Sequence, residues 1–127
     1  MQDTDRALVQ AASAVARLRC RTAQHAVAAA ALTRDGRVVT GVNVRHDAGE
    51  VCAELVVMGT AATQGAGELA TIVTVTDRGR SIPPPCTGCR RVLLDAFPAI
   101  RVIVATEGEP TVLPLADLPA GAEHVGP

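Results

Sequence analysis

The chain has no tryptophan, no tyrosine and a single phenylalanine, Phe97. Few rings are therefore available for stacking on a planar ligand. All 12 basic residues are arginines, and the net charge is -1. With neither a stripe of arginines nor interleaved aromatics, long-range attraction to phosphate is not a property of this surface, and nucleic acid is not the expected partner. A small, roughly neutral molecule fits better. No uninterrupted apolar run reaches about 18 residues, and no charged segment leads into an apolar stretch, so neither a membrane span nor a signal peptide is supported. A cytoplasmic protein with no membrane partner is expected. Internal repeats and low-complexity linkers are missing too. What is present suffices for one domain over residues 1–127: a hydrophobic content of 48% gives it a core and leaves little room for a second unit.

Residues 3–19 read as an amphipathic helix, with Leu8, Ala11, Ala12, Val15 and Leu18 on one side and Arg6, Arg17 and Arg19 on the other. Thr4 or Asp3 is its expected cap. The apolar run Ala26 to Leu32 is too short for a typical helix. Asp35-Gly36 then makes a turn into Arg37 to Val42, which gives a hairpin. Asn43 to Val51 shows no period and carries Gly49, so it reads as a loop, with Glu50 assisting the next helix electrostatically. From Cys52 to Thr63 the sequence is apolar nearly all round, through Leu55, Val56, Val57, Met58, Ala61 and Ala62. Such a helix belongs in the middle of a molecule. Gly65 and Gly67 end it.

Thr71 to Thr76 is a β-branched strand, closed by Asp77 and Gly79. Pro83-Pro84-Pro85 holds the backbone extended ahead of Cys86. A helix follows from Cys86 or Thr87 to Phe97, with Val92, Leu93, Ala96 and Phe97 inward, and Pro98 stops it. Arg101 to Ala105 is a buried strand. A turn at Glu107 to Pro110, an edge strand at Thr111 to Leu113, a helical turn at Leu115 to Leu118 and a tail from Ala120 to Pro127 complete the chain. Strands and helices alternating after an opening hairpin predict an α/β fold, a three-layer α/β/α sandwich around a mixed five-stranded sheet.

The four cysteines suit metal binding or catalysis better than a disulfide framework. Cys86 and Cys89, three apart at a helix start, point the same way, and Cys52 brought in by folding adds a third corner of a tetrahedron. The fourth corner stays open, as in a catalytic zinc site. Cys20 reads as an ordinary small buried residue. Glu54 would supply the proton chemistry. Helical geometry alone does not turn it toward Cys52, and the assignment rests on a motif in which a non-ligand glutamate follows one ligand and Pro-Cys-x-x-Cys supplies two more. Three thiolates and Zn²⁺ keep a net negative charge, which positive potential nearby must offset. The helix N-termini at Cys52 and Cys86 provide some, and Arg90 is placed to hydrogen-bond a ligand sulfur. A solvated first-turn arginine is the alternative for Arg90, and Arg91 reads as surface. A redox dithiol at Cys86 and Cys89, or a zinc that only stabilises the fold, are the competing readings of the cysteines.

At these residues the chain resembles the cytidine deaminase superfamily, and within it the blasticidin-S deaminase branch. The likeness runs from about Val27 to Gly121. It is strongest in Gly41-Val42-Asn43-Val44, in Cys52-Ala53-Glu54-Leu55-Val56-Val57, and from Pro85 through Cys86, Cys89, Arg90 and Arg91 to Asp95. The resemblance implies a homotetramer with one Zn²⁺ per subunit. It also implies hydrolytic conversion of the 4-amino group of a cytosine nucleoside, or of a cytosine nucleoside antibiotic of the blasticidin S type, to a carbonyl with release of ammonia. Salvage of cytidine or deoxycytidine, or deamination of another aminated heterocycle, is the alternative. Cys52, Cys86 and Cys89 would bind the metal, Glu54 would shuttle protons and Asn43 would hold a sugar hydroxyl. Ala53 and Pro84 would contact the base, Pro84 through the carbonyl that a proline keeps.

Two positions depart from the ordinary cytidine deaminases and side with the blasticidin branch. Arg45 stands where they have a glutamate that grips the ribose, and Leu55 where they have an arginine that neutralises the thiolates. A fixed charge at Arg45, two residues after Asn43, suits a substrate carrying a carboxylate on its sugar. A solvent-facing loop arginine is the other reading. The tail departs from the blasticidin branch in turn, since Ala122, Glu123 and His124 stand where aromatics cover the substrate. His25, His46 and His124 remain as rings that lie near a base or serve only surface and structure.

Overall fold

The structure, a computed structural model, describes residues 1–105 and 108–119. Helix α1 (Asp3–Arg19) precedes strands β1 (Ala28–Thr33) and β2 (Val38–Val42), then the short strands β3 (Val44–His46) and β4 (Gly49–Val51). Helix α2 (Ala53–Thr63), strand β5 (Leu69–Val75), helix α3 (Thr87–Ala96) and strands β6 (Arg101–Val104) and β7 (Thr111–Pro114) follow. Single 3₁₀ turns lie at Asp77–Gly79 and Leu115–Asp117.

The main sheet has the order β2-β1-β5-β6-β7, with β5 and β6 parallel and the other pairs antiparallel. Its inner strand β1, between β2 and β5, contains four consecutive alanines, all fully buried. Alanine has little preference for strands, but its small side chain lets a helix approach closely on both faces. Because side chains alternate along a strand, Ala28 and Ala30 join Val73, Val75 and Ile103 beneath Leu8, Ala12 and Ala16 of α1. Ala29 and Ala31 join Ile72, Val102 and Val104 beneath Val57 and Ala61 of α2 and Leu93 of α3. Two cores on opposite faces of a mixed five-stranded sheet are the three layers expected from the alternating elements.

Several local expectations are corrected. The cap of α1 is Gln2, whose backbone N–H donates to Asp5 Oδ2 at 2.9 Å, and neither Asp3 nor Thr4 takes that place. Leu18 is 64% exposed because the buried line of α1 runs through Asp5, Leu8, Ala12 and Ala16. In α3, Cys89 and Leu93 are buried one turn apart, which rotates Val92 and Ala96 outward. Helix α2 is an outer layer. Ala53, Glu54, Val57 and Ala61 are buried, but Leu55, Val56 and Met58 are half-exposed on an apolar flank. The stretch read as a loop, 43–51, holds a hairpin in which Val44 pairs with Val51, Arg45 with Glu50 and His46 with Gly49. Part of the expected turn at 107–110 and the whole tail from 120, including Ala122, Glu123 and His124, lie outside the described residues.

The sheet brings two distant segments to one edge. Ala28 of β1 pairs with Val42 on one side and Val75 on the other, so β2 and β5 run the same way and end together. Asn43 leaves β2 at that end. Beyond β5 the chain bridges Ile82 to Ala105, just past the end of β6, and so reaches Cys86 at the same carboxyl edge. Such edges are where open α/β sheets bind ligands.

Close approach of α2 to β2 depends on Gly41. A Cβ there would meet Val56 Cγ1 at 2.9 Å and the backbone nitrogen of Val57 at 3.3 Å. Gly41→Ala is expected to destabilise the fold by about 1–3 kcal/mol, as overpacking does. Denaturant titration checks it, with Gly59→Ala, which meets nothing within 4 Å, as the tolerated control.

Candidate metal centre

Two helix starts and one loop place three thiols together. Cys52 is the N-cap of α2 and Cys86 the N-cap of α3, each with extended backbone, and Cys89 lies in the first turn of α3. The Cys52 carbonyl accepts from the N–H groups of Leu55 and Val56, and the Cys86 carbonyl from that of Arg90. Neither sulfur caps its own helix, which leaves the lone pairs for another partner. Pro84 and Pro85 are buried immediately ahead of Cys86.

The three sulfurs lie within 4.8 Å of one another, and Cys52 Sγ is 3.7 Å from Cys86 Sγ. Two sulfurs bound about 2.3 Å from one tetrahedral zinc are separated by about 3.8 Å, so the spacing suits a single ion. Electrostatics point the same way. Burial pushes the Cys52 thiol up to about 11, with Cys86 and the Glu54 charge adding to it and a hydrogen bond from Cys89 opposing it. The Cys89 thiol is raised further, first by burial and then by Glu54 and its sister thiols. Without a cation these groups would stay protonated, whereas a divalent metal favours their thiolates. The donor set therefore fits one zinc ion.

Glu54, in the first turn of α2, is 2% exposed. Its charge acts on both Cys52 and Cys89, which places the carboxylate beside the sulfur cluster. Ala53, next to it, is fully buried. Arg90 is half-buried directly after Cys89, and Arg91 is exposed. Cys20 is buried, with its thiol raised by desolvation.

Asn43 is fully buried and ties the hairpin to the chain before β1. Its Oδ1 accepts from the N–H of Ala26 at 2.7 Å and of Val27 at 3.0 Å, and its Nδ2 donates to Glu50 Oε2 at 3.3 Å. His25 Nδ1 lies 2.7 Å from the Asn43 carbonyl oxygen, and His46 Nδ1 accepts from the Ala48 N–H inside the hairpin turn. Arg45 pairs with Glu50 at 3.3 Å and also lines an open cavity of about 460 Å³ with Ala23, Gln24, His46 and Asp47. Glu50, read from the sequence as an aid to the helix, in fact joins Asn43 to Arg45. The signal that finds it is the hairpin alternation from Asn43 to Cys52, with Val44 and Val51 on the other face.

The fold and this cluster define an α/β protein built around a three-thiolate metal centre. Residues 2–106 match the family model for the cytidine and deoxycytidylate deaminase zinc-binding region, and the chain belongs to that family. It is similar to a cytidine deaminase of Mycobacterium tuberculosis strain H37Rv, 44% identical over 72 residues, which is 55% of this chain and 53% of that protein. The matched segment thus spans about half the length of that relative. A blasticidin-S deaminase of Bacillus cereus is 30% identical over 95 residues, 68% of each chain. The crystal structure of cytidine deaminase from Mycobacterium leprae superposes with a TM-score of 0.76 at 27% identity, covering 93% of this chain and 98% of that one.

Purified protein prepared without chelators is expected to hold about one zinc per chain. Cys52→Ser, Cys86→Ser and Cys89→Ser should each lower that content severely, while Cys20→Ser keeps it; mass spectrometry of the metal reads the difference.

Proposed function

We propose that this chain is a single zinc-dependent deaminase domain that hydrolyses the exocyclic C–N bond of a cytosine ring in a nucleoside. The observation that carries the reading is the buried Glu54 carboxylate beside three thiols that fit one zinc. Cys52, Cys86 and Cys89 would hold the zinc, which when bound would make a water acidic enough to attack at neutral pH. Glu54 holds that water and takes its proton. The carboxyl then protonates the ring nitrogen beside C4 as the new C–O bond forms; it next takes the proton of the new C4 hydroxyl and passes it to the amino nitrogen as the C–N bond breaks and the carbonyl forms, releasing ammonia. The backbone carbonyl of buried Pro84 accepts a hydrogen bond from the leaving amine. Ala53 packs against the base. Arg90, held in the first turn of α3, donates to a ligand sulfur and offsets the charge of the thiolates. Asn43 and Arg45 border the sugar.

Relatives of both kinds, a cytidine deaminase and a blasticidin-S deaminase, support a cytosine nucleoside or a nucleoside antibiotic as substrate. We assign the protein to the cytoplasm. Four free thiols suit a reducing compartment, and among the described residues no helix is long and apolar enough to cross a membrane. The active form is a homotetramer. Supporting it are the apolar outer flank of α2 and the exposed pair Val44 and Val51, each 46% exposed on the free face of the hairpin.

Glu54→Gln is expected to lower ammonia release from cytidine by between about 10²- and 10⁴-fold, the usual contribution of a general acid-base group. Zinc content and melting temperature should stay near those of the unaltered protein. If activity survives the substitution, or if the loss follows zinc, Glu54 is not the proton carrier. Light scattering on the same preparation reads the oligomer, with a mass four times the 13.0 kDa chain as the expected result.

A further inference from the structure

The edge of the sheet away from the metal centre holds a cavity of about 150 Å³. Leu69 opens β5 and Ile100 directly precedes β6, and these parallel strands begin side by side, so the cavity lies at their amino ends. Cys86 is reached from the other edge. Helix α3 spans the distance between the two, with Cys86 as its N-cap and Ala96 and Phe97 at its far end lining the cavity. None of the groups assigned to deamination takes part in it.

The lining has three parts. Leu69 and Ile100, each 1% exposed, form an apolar floor, and Phe97, the single ring of the chain, adds a wall. A space of about 150 Å³ lined by leucine, isoleucine and phenylalanine accepts a group as large as benzene. Arg34 and Glu68 stand exposed at the rim. The Arg34 backbone N–H donates to the Glu68 carbonyl at 2.8 Å, which fixes the two segments together. Their side chains meet through Arg34 Nε and Glu68 Oε2 alone, so both Nη groups remain as donors and Oε1 as an acceptor. An exposed pair of this kind adds little to stability, and sharing it with a ligand costs little. The end of α3 supplies the third part. Pro98 has no N–H for the Leu94 carbonyl, and the Ile100 N–H donates to the Phe97 carbonyl instead of that of Ala96, so carbonyls at the helix terminus keep no helical donor. Their partial negative charge adds to that of Glu68.

An apolar group of moderate size, an anion for Arg34, and a cation for Glu68 and the helix end describe one kind of molecule. We propose that the cavity binds a small zwitterion, a free α-amino acid with a branched aliphatic side chain. The side chain enters over Leu69 and Ile100. The carboxylate accepts from the Arg34 Nη groups in the planar geometry that guanidinium favours, and the ammonium donates to Glu68 Oε1 and the terminal carbonyls of α3. A ligand with only one of the two charges leaves the other partner unanswered.

Calorimetry on the zinc-loaded protein tests this with leucine and three of its relatives. 4-Methylpentanoate is leucine without the amino group, 3-methylbutylamine is leucine without the carboxylate, and glycine keeps both charges but loses the isobutyl group. Leucine is expected to bind with a Kd of about 1 mM or tighter, and each of the others about 10-fold or more weakly, the scale of one lost hydrogen bond to a charged group or of one buried side chain. Ala99→Leu fills the cavity from its exposed wall and should abolish leucine binding. Arg34→Gln should weaken leucine about 10-fold or more and leave 3-methylbutylamine within about 3-fold. Because Arg34 and Ala99 are exposed, zinc content and melting temperature should stay near those of the unaltered protein in both variants. Binding of 4-methylpentanoate or 3-methylbutylamine as tight as that of leucine, leucine binding unchanged in either variant, or no leucine binding by the unaltered protein up to about 10 mM overturns the proposal.

Discussion

Three sulfurs and a carboxylate held together out of water are the constraint on which this structure depends. Burial holds the Cys52 and Cys89 thiols against ionisation, and the nearness of Glu54 and Cys86 adds to it. Two helix N-termini point their partial positive charge at the cluster, but a terminus contributes only a fraction of a charge. A divalent ion supplies the rest. The arrangement is thus unfavourable without metal and favourable with it, so ion binding and local folding are one process.

Everything that positions the cluster acts on the backbone. Alanines in β1 let α1 and α2 close on the sheet from both sides, and Gly41 lets the first turns of α2 sit against β2. Strands β2 and β5 end at the same edge because both pair with Ala28. From that edge one segment reaches Cys52 through the hairpin and the other reaches Cys86 through three prolines. Proline cannot donate to a ladder, which keeps the second segment extended and free of the sheet until α3 begins.

The layers and the cluster were legible in the sequence for a simple reason. Long periodic elements and the Cys-x-x-Cys spacing each repeat one geometric rule many times, as α1, β5 and α3 do. What escaped reading were features set by a single contact. Inward placement of Cys89 turns α3 so that Val92 faces out, though apolarity alone put Val92 inside. The open flank of α2 reflects a surface in the single chain that composition cannot distinguish from a core. Strands β3 and β4 have three residues each, too few for a period to show, and the turn between them masked the pairing of Val44 with Val51. Missing the hairpin also hid Glu50, whose partners are fixed by that register.

Asn43 joins the hairpin to the body of the fold. Its oxygen is committed to the backbone of Ala26 and Val27, which fixes the start of the hairpin as firmly as a backbone pair would. Two buried N–H groups would lose their acceptor without it, a cost of about 1–3 kcal/mol each. Its amide nitrogen donates to Glu50, which also accepts from Arg45, so one buried side chain ties both strands of the hairpin to the chain before β1. The hairpin runs directly into Cys52, and the placement of the first thiol therefore depends on the same anchor.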